Sequence, residues 1–110
     1  MKLGVIDRLR LLELLAGQQG DLITLGVIRK INSKIEFTAE EYDLFGITQH
    51  PETGRVSWKS GPDIPEEVDV DLTEKQVEFV AKLLRKNREL DVGHVPLLEK
   101  FGVKIPDGEE

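Results

Sequence analysis

Cysteine is absent from this 110-residue chain, which excludes disulfides, thiol catalysis and thiolate metal sites. Only two histidines occur, His50 and His94. Neither has a second His nearby, so the short-spaced ligand sets that zinc needs are missing. No apolar run approaches the roughly 20 residues that span a bilayer. The leucine-rich opening is too interrupted by Asp7, Arg8, Arg10 and Glu13 for a signal-peptide core. The sequence has no Gly-x-Ser-x-Gly, no Gly-x4-Gly-Lys-Ser/Thr and no Gly-x-Gly-x-x-Gly, the spacings that expose a nucleophile or cradle phosphates. A basic excess is lacking too: net charge is −6, the wrong sign for general nucleic-acid binding.

What is present is one domain's worth of ordinary globular sequence, 39% hydrophobic and 33% charged, enough aliphatic surface to offset chain entropy. Residues 1–105 are expected to form a single domain and residues 106–110 a frayed tail. The charge is uneven. Residues 1–35 carry a net +3, residues 36–74 a net −9 and residues 75–110 a net of zero. The acidic middle suits a solvated surface or a face for a basic partner.

Periodicity predicts an α+β fold, mostly helical, with about five helices and a small antiparallel hairpin or sheet. Apolar spacing gives a helix over 5–16. Its arc is wide enough to demand neighbours on more than one side or a second subunit. The segment Gly17-Gln18-Gln19-Gly20 ends it, with glycine supplying left-handed backbone angles. Asp21 caps a second helix over 22–33, where Gly26 marks a close crossing or simply a poor helix residue. The capping box Thr38-Ala39-Glu40-Glu41 opens a short helix over 39–45, with Phe37 stapled onto Tyr42. A hairpin over 47–58 follows, turning at Pro51-Glu52-Thr53-Gly54. Alternation of Val68, Val70 and Leu72 with acidic residues reads as a half-buried strand; the three strands would share one sheet, or residues 62–72 would stay extended outside it. A second capping box at Thr73 opens a helix over 74–90, and a last helix runs over 95–101, ending at Gly102. Leu12, Leu15, Ile28, Ile31, Phe45, Trp58, Val80, Leu84 and Phe101 are the expected core.

Two surfaces are candidates for binding. Lys82, Arg85, Lys86 and Arg88 are the best electrostatic candidates for phosphate contact, with Trp58 as a stacking ring. A solvated helix end is the preferred explanation of the cations, and a ring that pins the hairpin is the preferred one of Trp58. Glu40, Glu41, Asp43, Glu67, Asp69 and Asp71 are the candidate acidic partner face. The run at 66–71 alternates as a straight strand does, unlike a calcium loop bent around a sharp glycine turn. No catalytic residue, cofactor or metal is expected.

The order helix, helix, short helix, hairpin resembles a winged helix-turn-helix. The recognition helix would then be 38–45, whose Glu40, Glu41 and Asp43 repel phosphates. A wider resemblance rests on Leu9-Arg10-Leu11-Leu12-Glu13-Leu14-Leu15, Ile23-Thr24-Leu25-Gly26-Val27-Ile28-Arg29-Lys30-Ile31, Phe37-Thr38-Ala39-Glu40-Glu41, Trp58, Asp71-Leu72-Thr73-Glu74-Lys75-Gln76-Val77 and Leu97-Leu98-Glu99-Lys100-Phe101. In these the chain resembles small acidic proteins encoded in bacteriophage and prophage genomes. The resemblance implies a bacterial cytoplasm. The expectation is a non-enzymatic interaction protein that binds a host or phage protein and self-associates. The alternatives are a nucleic-acid or nucleotide-binding module and a structural virion component.

Overall fold

The computed structural model describes residues 1–106. Its elements run β1 (Lys2–Gly4), α1 (Val5–Ala16), α2 (Leu22–Ile35), α3 (Ala39–Phe45), β2 (Thr48–Gln49), β3 (Val56–Ser57), β4 (Glu67–Asp69), α4 (Glu74–Lys86), a 3-10 turn (Val92–His94) and α5 (Val95–Lys100). The fold is α+β and mostly helical. The frayed tail proposed for 106–110 lies, beyond Pro106, outside the described residues.

The helix starts follow their side chains. Thr38 accepts from the Glu41 N–H at 3.1 Å while Glu41 accepts from the Thr38 N–H at 3.1 Å. Thr73 and Gln76 repeat the reciprocal pair at 3.2 and 3.0 Å. Asp21 caps α2 by accepting from the Thr24 N–H at 2.8 Å. That bond keeps the Asp21 carboxyl below its ordinary range, because it favours the charged form. The Phe37 and Tyr42 rings sit 5.9 Å apart and tilted, forming the expected staple. Gly46 closes α3 and Gly102 follows α5, both in the left-handed region (φ 58° and 68°).

Several boundaries differ from the sequence reading. Gly17 has φ −86°, not a left-handed angle. There α1 is terminated instead by the Gln18 side chain, which donates to the Leu14 carbonyl at 3.1 Å. The helix expected over 74–90 stops at Lys86 because Asn87 turns extended. Its side-chain oxygen accepts from the Glu89 N–H at 2.9 Å, a local bond that competes with helix continuation. The three strands do not share one sheet. β2 and β3 form an isolated hairpin, with Thr48 opposite Ser57. β4 pairs antiparallel with β1, in the register Lys2↔Asp69, Leu3↔Val68, Gly4↔Glu67. The three residues of β1 are too few to show alternation, so the sequence carried no signal for them. The helix-helix-helix-hairpin order is present, but α1 is preceded by a strand that pairs with β4, outside that order.

Two apolar clusters fill the interior. The larger joins Leu3, Leu11, Leu15, Ile28, Ile31, Ile35, Val70, Val80, Leu84, Leu97 and Phe101. The smaller gathers Val5, Phe37 and Phe45 under α3 and the hairpin. Leu12 is half-buried because it lies between the two and belongs fully to neither. Trp58 is 38% exposed and packs into neither cluster. The segment after the hairpin is anchored instead by the Lys59 N–H, which donates to the Phe45 carbonyl at 2.6 Å.

A buried cation fastens the two clusters. Arg8 is 3% exposed. Its Nε donates to the Ile35 carbonyl at 2.8 Å and its Nη2 to the Glu36 carbonyl at 2.9 Å. Nη2 also donates to Glu41 Oε1 at 2.9 Å, and Nη1 pairs with Glu41 Oε2. The guanidinium lies 4.1 Å above the Phe37 ring. One side chain of α1 therefore holds the end of α2, the connecting turn and the start of α3. The Arg8 hydrogen bond holds the Glu41 carboxyl below its ordinary value of 4.5.

Two outcomes follow from this clamp. Arg8→Met strands the Ile35 and Glu36 carbonyls and an unpaired carboxylate, so it should lower stability by about 3 kcal/mol or more, read from urea unfolding. An unchanged midpoint would deny the clamp its role. Because the Glu41 pKa is depressed on folding, its contribution is present above about pH 4.5 and is lost as pH falls through the lower folded value. Wild-type stability should therefore decline as the pH drops below about 4.5, and Glu41→Gln should start lower at pH 7 and decline less.

Candidate functional site

The sequence candidates do not converge. Lys82, Arg85 and Lys86 are exposed along α4, and Arg88 is exposed beyond its end. Trp58 follows the β2–β3 hairpin and packs into neither apolar cluster, whereas Leu84 and Ala81 set α4 in the larger one. No hydrogen bond or ion pair is found at these four cations among the described residues. They form a solvated helix end.

The acidic candidates divide. Glu41 is turned inward onto Arg8 and is not part of a partner face. Glu67 pairs with Lys100, and Asp69 lies 3.0 Å from the Met1 amino group. Glu40, Asp43 and Asp71 are exposed. Lys100 also reaches Asp7 Oδ2 at 2.7 Å, and that carboxylate caps α1 by accepting from the Gly4 N–H at 2.9 Å. Burial disfavours the Lys100 charge, but the bonds to Asp7 and Glu67 outweigh it and raise the Lys100 pKa. Of the six candidates Glu41, Glu67 and Asp69 are engaged by the fold, and Glu40, Asp43 and Asp71 stand exposed. Among the described residues no group of three or more His, Asp or Glu side chains is placed to hold a metal.

Two features went unmarked in the sequence. The first is a groove of about 610 Å³ between α1 and the C-terminal end of α4, lined by Leu9, Arg10, Leu14, Leu83, Lys86 and His94 among others. At its edge Arg10 Nη1 lies 2.9 Å from His94 Nδ1 and 3.5 Å from Asp91 Oδ1. His94 Nδ1 lies 3.0 Å from Asp91 Oδ1. The hydrogen bond from His94 keeps the Asp91 carboxyl below its usual range, and Arg10 adds to this. Among the described residues Arg10 Nε is buried without a partner. A Cβ on Gly93 would come within 2.5 Å of Arg10 Nη2, so the glycine makes room for the guanidinium. The groove mixes these cations with Glu13, Glu89 and Asp91, so no single charge is selected. His94 ties this turn to α1 through Arg10. His50 accepts from the Glu52 N–H at 3.3 Å within an exposed turn.

The second feature is the outward side of α2. Its buried residues Ile28, Ile31 and Ile35 all lie from the middle of the helix onward. In the first half Leu22 is 87% exposed, Ile23 80% and Leu25 44%. Among the described residues a Cβ on Gly26 would have nothing within 4 Å, so no crossing element there explains a residue that costs a helix about 1 kcal/mol relative to Ala. Three large aliphatic side chains within four positions are left facing water beside an open backbone. Sequence periodicity alone does not reveal this, because Leu22, Leu25 and Ile28 read as one continuous inward row.

No family model, curated protein or solved structure matches this chain. No helix among the described residues is long and apolar enough to cross a membrane.

The Arg10 clasp yields one test. Gly93→Ala should displace the flexible end of Arg10 rather than the backbone, changing stability by less than about 1 kcal/mol. The His94 ring resonances in NMR should shift and lose their coupling to Arg10. Unchanged His94 resonances would mean that Gly93 does not seat the guanidinium.

Proposed function

We propose that this chain is a non-enzymatic interaction protein of the phage or prophage type, and that it docks on protein through the start of α2. The observation that carries this reading is the aliphatic group Leu22, Ile23 and Leu25, which the fold leaves in water. Exposed aliphatic side chains clustered on one rigid element mark binding surfaces more often than isolated ones do. Burying them on a partner removes apolar area from water, worth about 25 cal/mol per Å² before association costs. Arg29 and Lys30 are exposed further along the same helix, and they give the patch a cationic rim.

Phosphate binding is less favoured, because Lys82, Arg85 and Lys86 stand on α4 and Arg88 beyond its end while Trp58 follows the hairpin, and the net charge is −6. Retrieval of proteins from a bacterial lysate by the full chain tests the choice. The interaction reading expects a protein retained by the wild type and released by Ile23→Asp. That surface change should itself alter stability by only about 0.5 kcal/mol. Retention unaffected by Ile23→Asp, or no protein retained at all, would contradict it. Binding of single-stranded DNA that falls steeply between about 50 and 200 mM salt and depends on Arg85 would establish the phosphate reading instead.

A further inference from the structure

The outward face of α2 has a charge order that fits itself. Helical spacing aligns Leu22, Gly26, Arg29 and Ser33 along one outward strip, with Ile23 and Lys30 on its flank. All six are exposed. Asp21 stands at the helix start, and the cations occupy its second half. The face therefore runs from an acidic end through aliphatic residues and a bare glycine to a basic end.

We infer that the outward face of α2 pairs with the same face of a second copy of this chain, the two helices running antiparallel and crossing at Gly26. This inference rests on the interaction reading above and names the occupant. A two-fold axis beside Gly26 sets Leu22 opposite Lys30 and Ile23 opposite Arg29 of the second copy. The aliphatic side chains then lie along the methylene stems of the cations. Asp21 falls within one turn of Arg29 and Lys30 of the second copy, at both ends of the contact. A parallel pair would instead set Asp21 against Asp21 and the cations against each other. The antiparallel arrangement also places each helix start beside the other's end, which opposes the helix dipoles favourably. Gly26 lets the backbones approach closely at the crossing, as small residues do at tight helix pairs.

The contact is small. α2 has 14 residues, so the face is about 21 Å long and about 10 Å wide. Its outline covers on the order of 200 Å² on each copy, well below the roughly 800 Å² per partner of a stable interface. A contact of this size makes a transient pair in exchange with monomer.

The native absence of cysteine makes the test direct. In Gly26→Cys the two thiols meet at the crossing, within disulfide reach. In Leu22→Cys an antiparallel pair holds them about 12 Å apart along the axis, whereas a parallel pair brings them together. Under a mild added oxidant, Gly26→Cys should give a covalent dimer and Leu22→Cys little. Equal cross-linking of both, or of neither, would overturn the inference. Sedimentation of the unmodified chain should show dimer growing with concentration up to about 1 mM, with Ile23→Asp raising the Kd at least about tenfold. A chain monomeric throughout overturns self-pairing, even if Ile23→Asp still releases a lysate protein, in which case the interaction reading stands alone. A dimer unaffected by Ile23→Asp also overturns it. Antiparallel cross-linking without any retained lysate protein upholds self-pairing while removing the wider reading.

Discussion

Arg8 is the constraint on which the arrangement of the first half depends. A guanidinium taken out of water must find a partner for nearly every N–H, and here two main-chain carbonyls, one carboxylate and an aromatic face supply them. Those partners belong to the end of α2, the turn after it and the first turn of α3. Meeting the needs of one cation therefore fixes three segments against α1. Glu41 serves the cation and its own helix start at once, since it also accepts from the Thr38 N–H. The helix cap and the tertiary clamp are one network.

The clamp holds α2 by its C-terminal end. Val27, Ile28, Ile31 and Ile35 pack against the core from the middle of the helix onward, and the first turn extends outward from its Asp21 cap. An amphipathic helix usually presents a polar exterior. This one presents Leu22, Ile23 and Leu25, with Gly26 beside them. The far side of the molecule is closed differently. Leu3 draws β1 against β4, and Lys100 joins Asp7 and Glu67 across α5, α1 and β4. The acidic excess of the middle segment is partly absorbed by these pairs, so the sequence overstates how much of it is available to a partner.

Local signals in the sequence carried well. The boxes at Thr38 and Thr73, the cap at Asp21 and the stop at Gly46 depend on side chains within a turn of the backbone they serve, and all appear as their spacing implies. Signals that depend on distant chain did not. β1 needs β4, some 65 residues away, before its three residues become a strand. Arg8 reads as an interruption of an apolar run until Ile35, Glu36 and Glu41 surround it. Trp58 reads as the core ring that pins the hairpin, yet the hairpin it follows is held by main-chain bonds and by the Lys59 N–H. The α2 surface was hidden for the opposite reason: its exposed leucines continue the periodicity of buried isoleucines, and only packing separates the two halves.

One helix, α2, is buried from Ile28 onward and apolar but bare over its first turn. Relaxation enhancement of methyl resonances by a soluble paramagnetic probe, recorded on dilute protein, measures that division directly. The account predicts strong broadening at Leu22, Ile23 and Leu25 and sharp, protected signals at Ile28, Ile31 and Ile35. Equal protection along the whole helix would contradict it.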